Sequence, residues 1–117
     1  MLPMEKRLHP RVCCEIEASF KNMNQPSTPV VASAAICDIS EGGVRFRVNH
    51  FLPVHNRLRM HLNLPKSEAI ETIMELAWIR EIPFSDSFEA GAHFVDFPFL
   101  LKRPLQHYIF QQLLAHS

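Results

Sequence analysis

Two clusters of side chains in this 117-residue sequence have residue types and spacings suited to binding chemistry. Asp38-Ile39-Ser40-Glu41-Gly42-Gly43 sets a carboxylate and a hydroxyl two residues apart, ahead of two glycines. With three Asp, eight Ser and three Gly in the chain, an Asp-x-Ser-x-x-Gly arrangement is expected by chance only about 0.005 times. At a strand end, residues two apart point the same way, and the glycines allow a sharp turn and close approach of a ligand. A plainer reading also exists, a β-turn whose Asp and Ser satisfy their own backbone donors. The second cluster is Arg7-Leu8-His9-Pro10-Arg11. Eight arginines produce an Arg-x-x-x-Arg about 0.5 times by chance, so alone it carries little information. Its plainer reading is a solvated charged tail. Together the clusters say more. Two guanidinium forks and a carboxylate–hydroxyl pair meet the needs of a guanine nucleotide with phosphates. Arginine binds guanine O6 and N7 bidentately, pairs with phosphate or stacks on the base, and a carboxylate accepts from the guanine N1 and N2 protons.

The elements that must position these residues read as strands. Val12, Cys14, Ile16, Ala18 and Phe20 alternate with Cys13, Glu15, Glu17 and Ser19, the period-two pattern of a half-buried strand. Val44, Phe46 and Val48 alternate with Arg45 and Arg47, and Leu58, Met60, Leu62 and Leu64 alternate with Arg57, Arg59, His61 and Asn63. Residues 30–37 form a small-residue strand and 70–80 a long apolar one, and Phe88, Ala90, Ala92 and Phe94 mark a sixth. Loops with Pro and polar residues separate these runs, at 22–29, 49–56, 65–68 and 83–87. Six short strands without intervening helices predict an all-β, antiparallel sheet that closes into a barrel to remove its edges. After Pro98 the period changes. Pro104 suits a first helical turn, and Leu105, Tyr108, Ile109 and Leu113 share one face, which predicts a C-terminal helix over about 103–115.

Composition bounds the function. The length fits one domain, and 47% hydrophobic with 21% charged residues is ordinary globular usage. A net charge of zero argues against a protein that coats DNA, and an RNA-binding barrel would need an interleaved basic and aromatic stripe that is missing. No DNA or RNA partner is expected. Three cysteines, two adjacent as Cys13-Cys14, cannot close a disulfide framework and point to a reducing compartment. With no apolar leader and no run long enough to span a bilayer, the expectation is a cytoplasmic protein without membrane insertion. The seven His are scattered, so no metal is expected, and no nucleophile elbow, phosphate loop or Cys–His pairing points to an enzyme. Cys14 shares the apolar parity of its strand, while Cys13 faces the other way. Trp78 continues the Ile70, Met74 and Leu76 parity and is expected in the core. Arg45, Arg47, Arg57 and Arg59 line polar strand faces, expected to be a solvated surface, with an electrostatic rim for an anion as the alternative.

At these residues the sequence resembles the PilZ domain family, bacterial receptors for cyclic di-GMP. The resemblance runs over nearly the whole chain, through Arg7, Pro10 and Arg11, then Asp38, Ser40 and Gly43. It continues along the long strand through Trp78 and Gly91-Ala92-His93-Phe94 with Val95-Asp96 to Tyr108-Ile109-Phe110. It implies a six-stranded antiparallel β-barrel with a C-terminal α-helix, over residues 12–117, preceded by a ligand-clamping arm over 1–11. It further implies that Arg7 and Arg11 grip guanine and phosphate, that Asp38 and Ser40 contact base and phosphate, and that Gly42 and Gly43 keep the approach open. Gly91 falls in the family's Gly-x-x-Phe strand motif, near the ligand. Lys6 adds a cation beside Arg7 that favours an intercalated ligand dimer, yet a lysine cannot stack or fork as an arginine does, so one and two ligand molecules both fit these residues.

Two functions follow from this reading. One is a stand-alone cyclic di-GMP receptor that, lacking an output module, passes its signal to a protein effector. The other is an interaction adaptor with weak or no nucleotide binding, using residues 97–101 as an apolar docking patch, although the same residues can plug the helix onto the barrel mouth. The arm over 1–11, with two prolines and no apolar periodicity, is expected to be mobile until a ligand gives it something to fold against.

Overall fold

Alternating apolar and polar residues build six strands, and the inward set of each fills the space the strands enclose. In the computed structural model, which describes residues 11–24, 31–65 and 69–115, they are β1 (Val12–Asn22), β2 (Ala32–Ile39), β3 (Gly43–Val48), β4 (Arg57–Leu62), β5 (Ile70–Glu81) and β6 (Phe88–Asp96). Every pairing is antiparallel, and the order β1-β2-β3-β6-β5-β4 closes into a barrel. Closure pairs the edge of β1 with β4 and leaves no open ladder, as the strand count predicts. In β4 the alternation is complete, with Leu58, Met60 and Leu62 buried and Arg57, Arg59 and His61 exposed. Phe20, Ile36, Phe46, Met74 and Leu76 fill the barrel, leaving it an apolar core rather than a cavity.

A short 3-10 turn, Phe99–Leu101, leads into the helix α1 (Lys102–Ala115), close to the predicted 103–115. Leu105 and Ile109 are its buried residues, with Tyr108 half-buried, whereas Leu113 faces solvent instead of sharing their face. Helix α1 packs chiefly against β1, and Gln106 Nε2 donates to Glu41 Oε1 of the β2–β3 turn at 2.9 Å. Among the described residues no helix is long and apolar enough to cross a membrane.

Three departures from simple alternation matter for the site. β2 runs two residues later than the expected 30–37, so Asp38 lies inside the strand rather than in the turn after it. A bulge between Ile36 and Asp38 lets both Ile36 and Ile39 face the core while Asp38 turns outward. A second bulge, between Leu76 and Trp78, does the same in β5. Leu76 and Ile79 face inward there, and Trp78 is placed opposite Gly91 on the outer wall, half-exposed, against the expectation of a core tryptophan.

Candidate functional site

A cleft of about 330 Å³ opens on the outer wall of the barrel where β3, β6 and β5 run side by side. That volume is at the low end of small-molecule sites. Arg11, Ser40, Gly42, Gly43 and Gly91, five of the residues singled out by sequence, line it. Lys6 and Arg7 lie outside the described residues, as does the rest of the arm expected over 1–11 apart from Arg11. Arg11 is exposed and precedes β1 directly.

The β2–β3 turn is held by its own hydrogen bonds and by one to β6. The Ser40 amide donates to the Gly43 carbonyl at 2.9 Å, and the Gly42 amide donates to Ser40 Oγ at 3.0 Å. The Phe94 amide donates to the Gly42 carbonyl at 2.9 Å and so straps the turn to β6. Ser40 therefore satisfies local backbone, as in the turn reading, and still borders the cleft. Gly43 has a role the sequence did not suggest. A Cβ there would lie 2.1 Å from the Ala92 carbonyl oxygen, so the missing side chain admits the backbone of β6, not only a ligand. At Gly91 a Cβ would lie 2.1 Å from Trp78 Nε1; the glycine makes room for the indole, which floors the cleft.

Asp38 does not stand free toward the cleft. It is buried, and its Oδ2 accepts from Arg45 Nε at 2.7 Å. Arg45, expected on a solvated face, lines the cleft and also donates to the Glu89 carboxylate through its NH1 group. Glu89 in turn accepts from Arg80 Nε at 2.9 Å, and the Arg80 guanidinium lies 5.7 Å from the centre of the Trp78 ring. Charge-assisted hydrogen bonds of this kind are stronger than neutral ones and fix geometry. The bond to Asp38, followed by the one to Glu89, holds Arg45 cationic well beyond its ordinary range, against the opposing effect of burial. Hydrogen bonds from Arg80 and then Arg45 hold the Glu89 carboxyl below the usual carboxylate range despite burial. Between them, these groups offer a stacking surface, an edge of oriented hydrogen-bonding groups and the exposed cation of Arg11.

Arg80 and Glu89 escape sequence reasoning, Trp78 reads there as core, and Arg45 enters only as an alternative, a rim for an anion. Glu89 shares the outward parity of Gly91, which was a usable signal. Trp78 carried none, because its direction depends on a bulge. The docking patch expected at 97–101 divides in two: Phe97 and Leu101 pack against the core, with the Phe97 ring edge-on to Phe94 at 4.9 Å, while Phe99 and Leu100 are 80% and 86% exposed.

A sequence model of the PilZ domain matches residues 5–111. The chain belongs to the PilZ domain family. No curated protein matches it in sequence. Among solved structures, the inhibitor of motility MotI of Bacillus subtilis superposes with a TM-score of 0.78 at 19% identity, covering 98% of this chain and 57% of MotI. The PilZ domain of Escherichia coli YcgR, solved with c-di-GMP, superposes with a TM-score of 0.74 at 15% identity, covering 96% of this chain and 95% of that domain. The K. pneumonia MrkH–c-di-GMP complex gives a TM-score of 0.76 at 16% identity, covering 96% of this chain and 53% of MrkH. The chain thus spans a little more than half of MotI and MrkH, and its fold is that of the PilZ barrel.

Proposed function

We propose that this PilZ chain is a cytoplasmic receptor for cyclic di-GMP that works by binding rather than catalysis. The single observation that carries the reading is the convergence of Arg11, the Ser40–Gly43 turn and Trp78 on one cleft of the outer wall. Crystallised relatives of the same fold, YcgR and MrkH, hold c-di-GMP. In this mode one guanine stacks on Trp78, Asp38 accepts from its N1 and N2 protons, and Arg11 with Arg7 and Lys6 meets the phosphates and the second base. Gly42, Gly43 and Gly91 keep side chains out of the way. Because Arg11 opens β1 while Ser40 sits in the β2–β3 turn, a ligand touching both clamps the arm to the barrel. The ordered arm then presents a changed surface to a protein effector, an order–disorder switch whose coupling cannot exceed the ligand's differential affinity for the two states.

Calorimetric titration with cyclic di-GMP tests the reading. Arg7→Ala, Arg11→Ala and Asp38→Ala should each weaken binding by about 1–3 kcal/mol, about five- to 150-fold. Arg11→Ala should leave stability unchanged, since its side chain is exposed. Amides of residues 5–11 should gain hydrogen-exchange protection on binding. Both Arg variants binding as the parent does would overturn the site, and binding without protection of the arm would overturn the switch. The exposed Phe99 and Leu100 favour the second reading, an adaptor that docks a protein through this turn without needing nucleotide. A parent chain that ignores cyclic di-GMP would favour it.

A further inference from the structure

We propose that Glu89 is a positioning residue that sets the spacing between Asp38, which reads the base edge, and Trp78, which carries the base face; this rests on the cleft being the cyclic di-GMP site. Glu89 belongs to the outer wall, where its neighbours in register, Arg47 and Arg80, are polar, yet it is only 7% exposed. A carboxylate is that deeply covered only where it is paired, because desolvating it alone is costly. Its two oxygens go to different arginines. Oε2 accepts from Arg45, whose Nε holds Asp38 Oδ2, and Oε1 accepts from Arg80, whose guanidinium lies over the Trp78 ring. The line Asp38–Arg45–Glu89–Arg80–Trp78 crosses β2, β3, β6 and β5; Arg45 and Trp78 line the cleft, and Asp38, Glu89 and Arg80 stand outside its lining. Arg45 leaves Asp38 its other oxygen and the remaining lone pairs for a ligand.

Glu89 touches neither the cleft nor, in the proposed mode, the nucleotide. Without its charge, Arg45 keeps only the bond to Asp38 and gains freedom to swing. Arg80, whose side chain is 71% exposed, has nothing else holding it above the indole among the described contacts. The two arms of the line carry different information. Asp38 distinguishes guanine from hypoxanthine, which lacks the N2 amino donor, whereas stacking on Trp78 treats both bases alike. A residue that serves both arms has a signature no merely structural role would produce.

The experiment compares cyclic di-GMP with cyclic di-IMP by titration, for the parent, Glu89→Gln, Arg45→Lys and Arg80→Met, with the melting temperature of each and the emission of Trp78, the chain's single tryptophan. The parent should prefer the guanine ligand by about tenfold or more, the value of one good hydrogen-bonded contact. Arg45→Lys should flatten that preference to within about threefold, Arg80→Met should weaken both ligands equally and shift Trp78 emission, and Glu89→Gln should weaken both ligands, the guanine ligand more so that the preference flattens, and shift Trp78 emission. Glu89→Gln weakening both ligands equally, in step with a lower melting temperature and with Trp78 emission unchanged, would overturn the proposal. If Glu89→Gln does not fold, the opposite signatures of Arg45→Lys and Arg80→Met decide; identical signatures overturn it. A parent that binds neither ligand overturns the functional reading and this one with it, while a parent that binds beside variants without the split overturns this one alone.

Discussion

Replacing Gly91 by alanine asks whether Trp78 is the floor of the cleft. Glycine here has no positive φ among the described residues, so the test is one of space rather than backbone strain. The new Cβ would lie 2.1 Å from Trp78 Nε1 and 2.5 Å from Cε2. Carbon contacts settle at about 3.5–4.0 Å, so the indole must retreat by roughly 1.5 Å. It can do so, because the obstruction is a half-exposed side chain and not the backbone of a paired strand. The smaller entropy of alanine in the unfolded chain returns about 0.4–1 kcal/mol, and the melting temperature should stay within about 5 °C of the parent. Binding should suffer far more. Loss of one stacking platform is worth about 1–3 kcal/mol, so Kd for cyclic di-GMP should rise about five- to 150-fold. Calorimetry reads the affinity, and Trp78 emission in the same samples reports whether the ring has moved. An unchanged Kd alongside a shifted emission would refute the stacking role. A melting temperature lower by more than about 10 °C would refute the claim that the side chain, not the strand pair, yields.

Gly43→Ala makes the contrasting case: its Cβ would meet the Ala92 carbonyl oxygen at 2.1 Å and His93 Cα at 2.9 Å, both backbone, so β3 and β6 must part. A stability loss of about 1–3 kcal/mol or more is expected in urea unfolding, and a midpoint equal to that of Gly91→Ala would contradict it. Glu89 predicts a pH dependence. Its carboxyl is held low in the folded protein by Arg80 and Arg45, so its contribution is present above the unfolded-state pKa, about 4.3, and is lost as pH falls through the lower folded value. The stability gap between parent and Glu89→Gln should be full near neutral pH and shrink as pH falls below the unfolded-state value and through the lower folded one; a gap that persists in strong acid would count against the ion pairs. Burial pushes the Cys14 thiol up to about 11, while Cys13 is exposed, so iodoacetamide at about pH 8 should label Cys13 well before Cys14, and equal rates by mass spectrometry would refute the burial of Cys14.

What was legible in the sequence is what depends on near neighbours. Strands alternating as Leu58, Met60 and Leu62 do announce both their type and their inward face, and Asp38-Ile39-Ser40-Glu41-Gly42-Gly43 announces its turn. Cross-strand relations were not legible. Arg45 was correctly placed outward, but whether an outward arginine meets water or two carboxylates depends on which residues stand beside it in β2 and β6, and that register is set by the whole barrel. Trp78 was misplaced for a related reason. Parity counting carries Leu76 inward to Trp78 inward, and one extra residue in β5 reverses the count. Gly43 was read as an opening for a ligand because sequence shows only the missing side chain, not the Ala92 carbonyl that occupies its space.

The two bulges explain how a filled barrel carries a polar cleft on its outer wall. With Phe20, Phe46 and Met74 occupying the interior, nothing the size of a nucleotide can enter, so the proposed site falls on the outer wall, which regular alternation would leave convex and solvated. A bulge in β2 turns Asp38 outward, and a bulge in β5 turns Trp78 outward, while the inward ladder of each strand continues without a gap. Between them, β6 contributes Gly91, small enough to let the indole pack against the strand, and Glu89, which ties the two re-aimed residues through Arg45 and Arg80. Each bulge keeps the core intact and turns one side chain out of it: Trp78 is partly exposed, and Asp38 stays covered by its bond to Arg45. The face that results is braced behind by these ion pairs and open where Arg11 precedes β1, so in the proposed binding mode a ligand there would engage the residues before β1 and leave the barrel as it is.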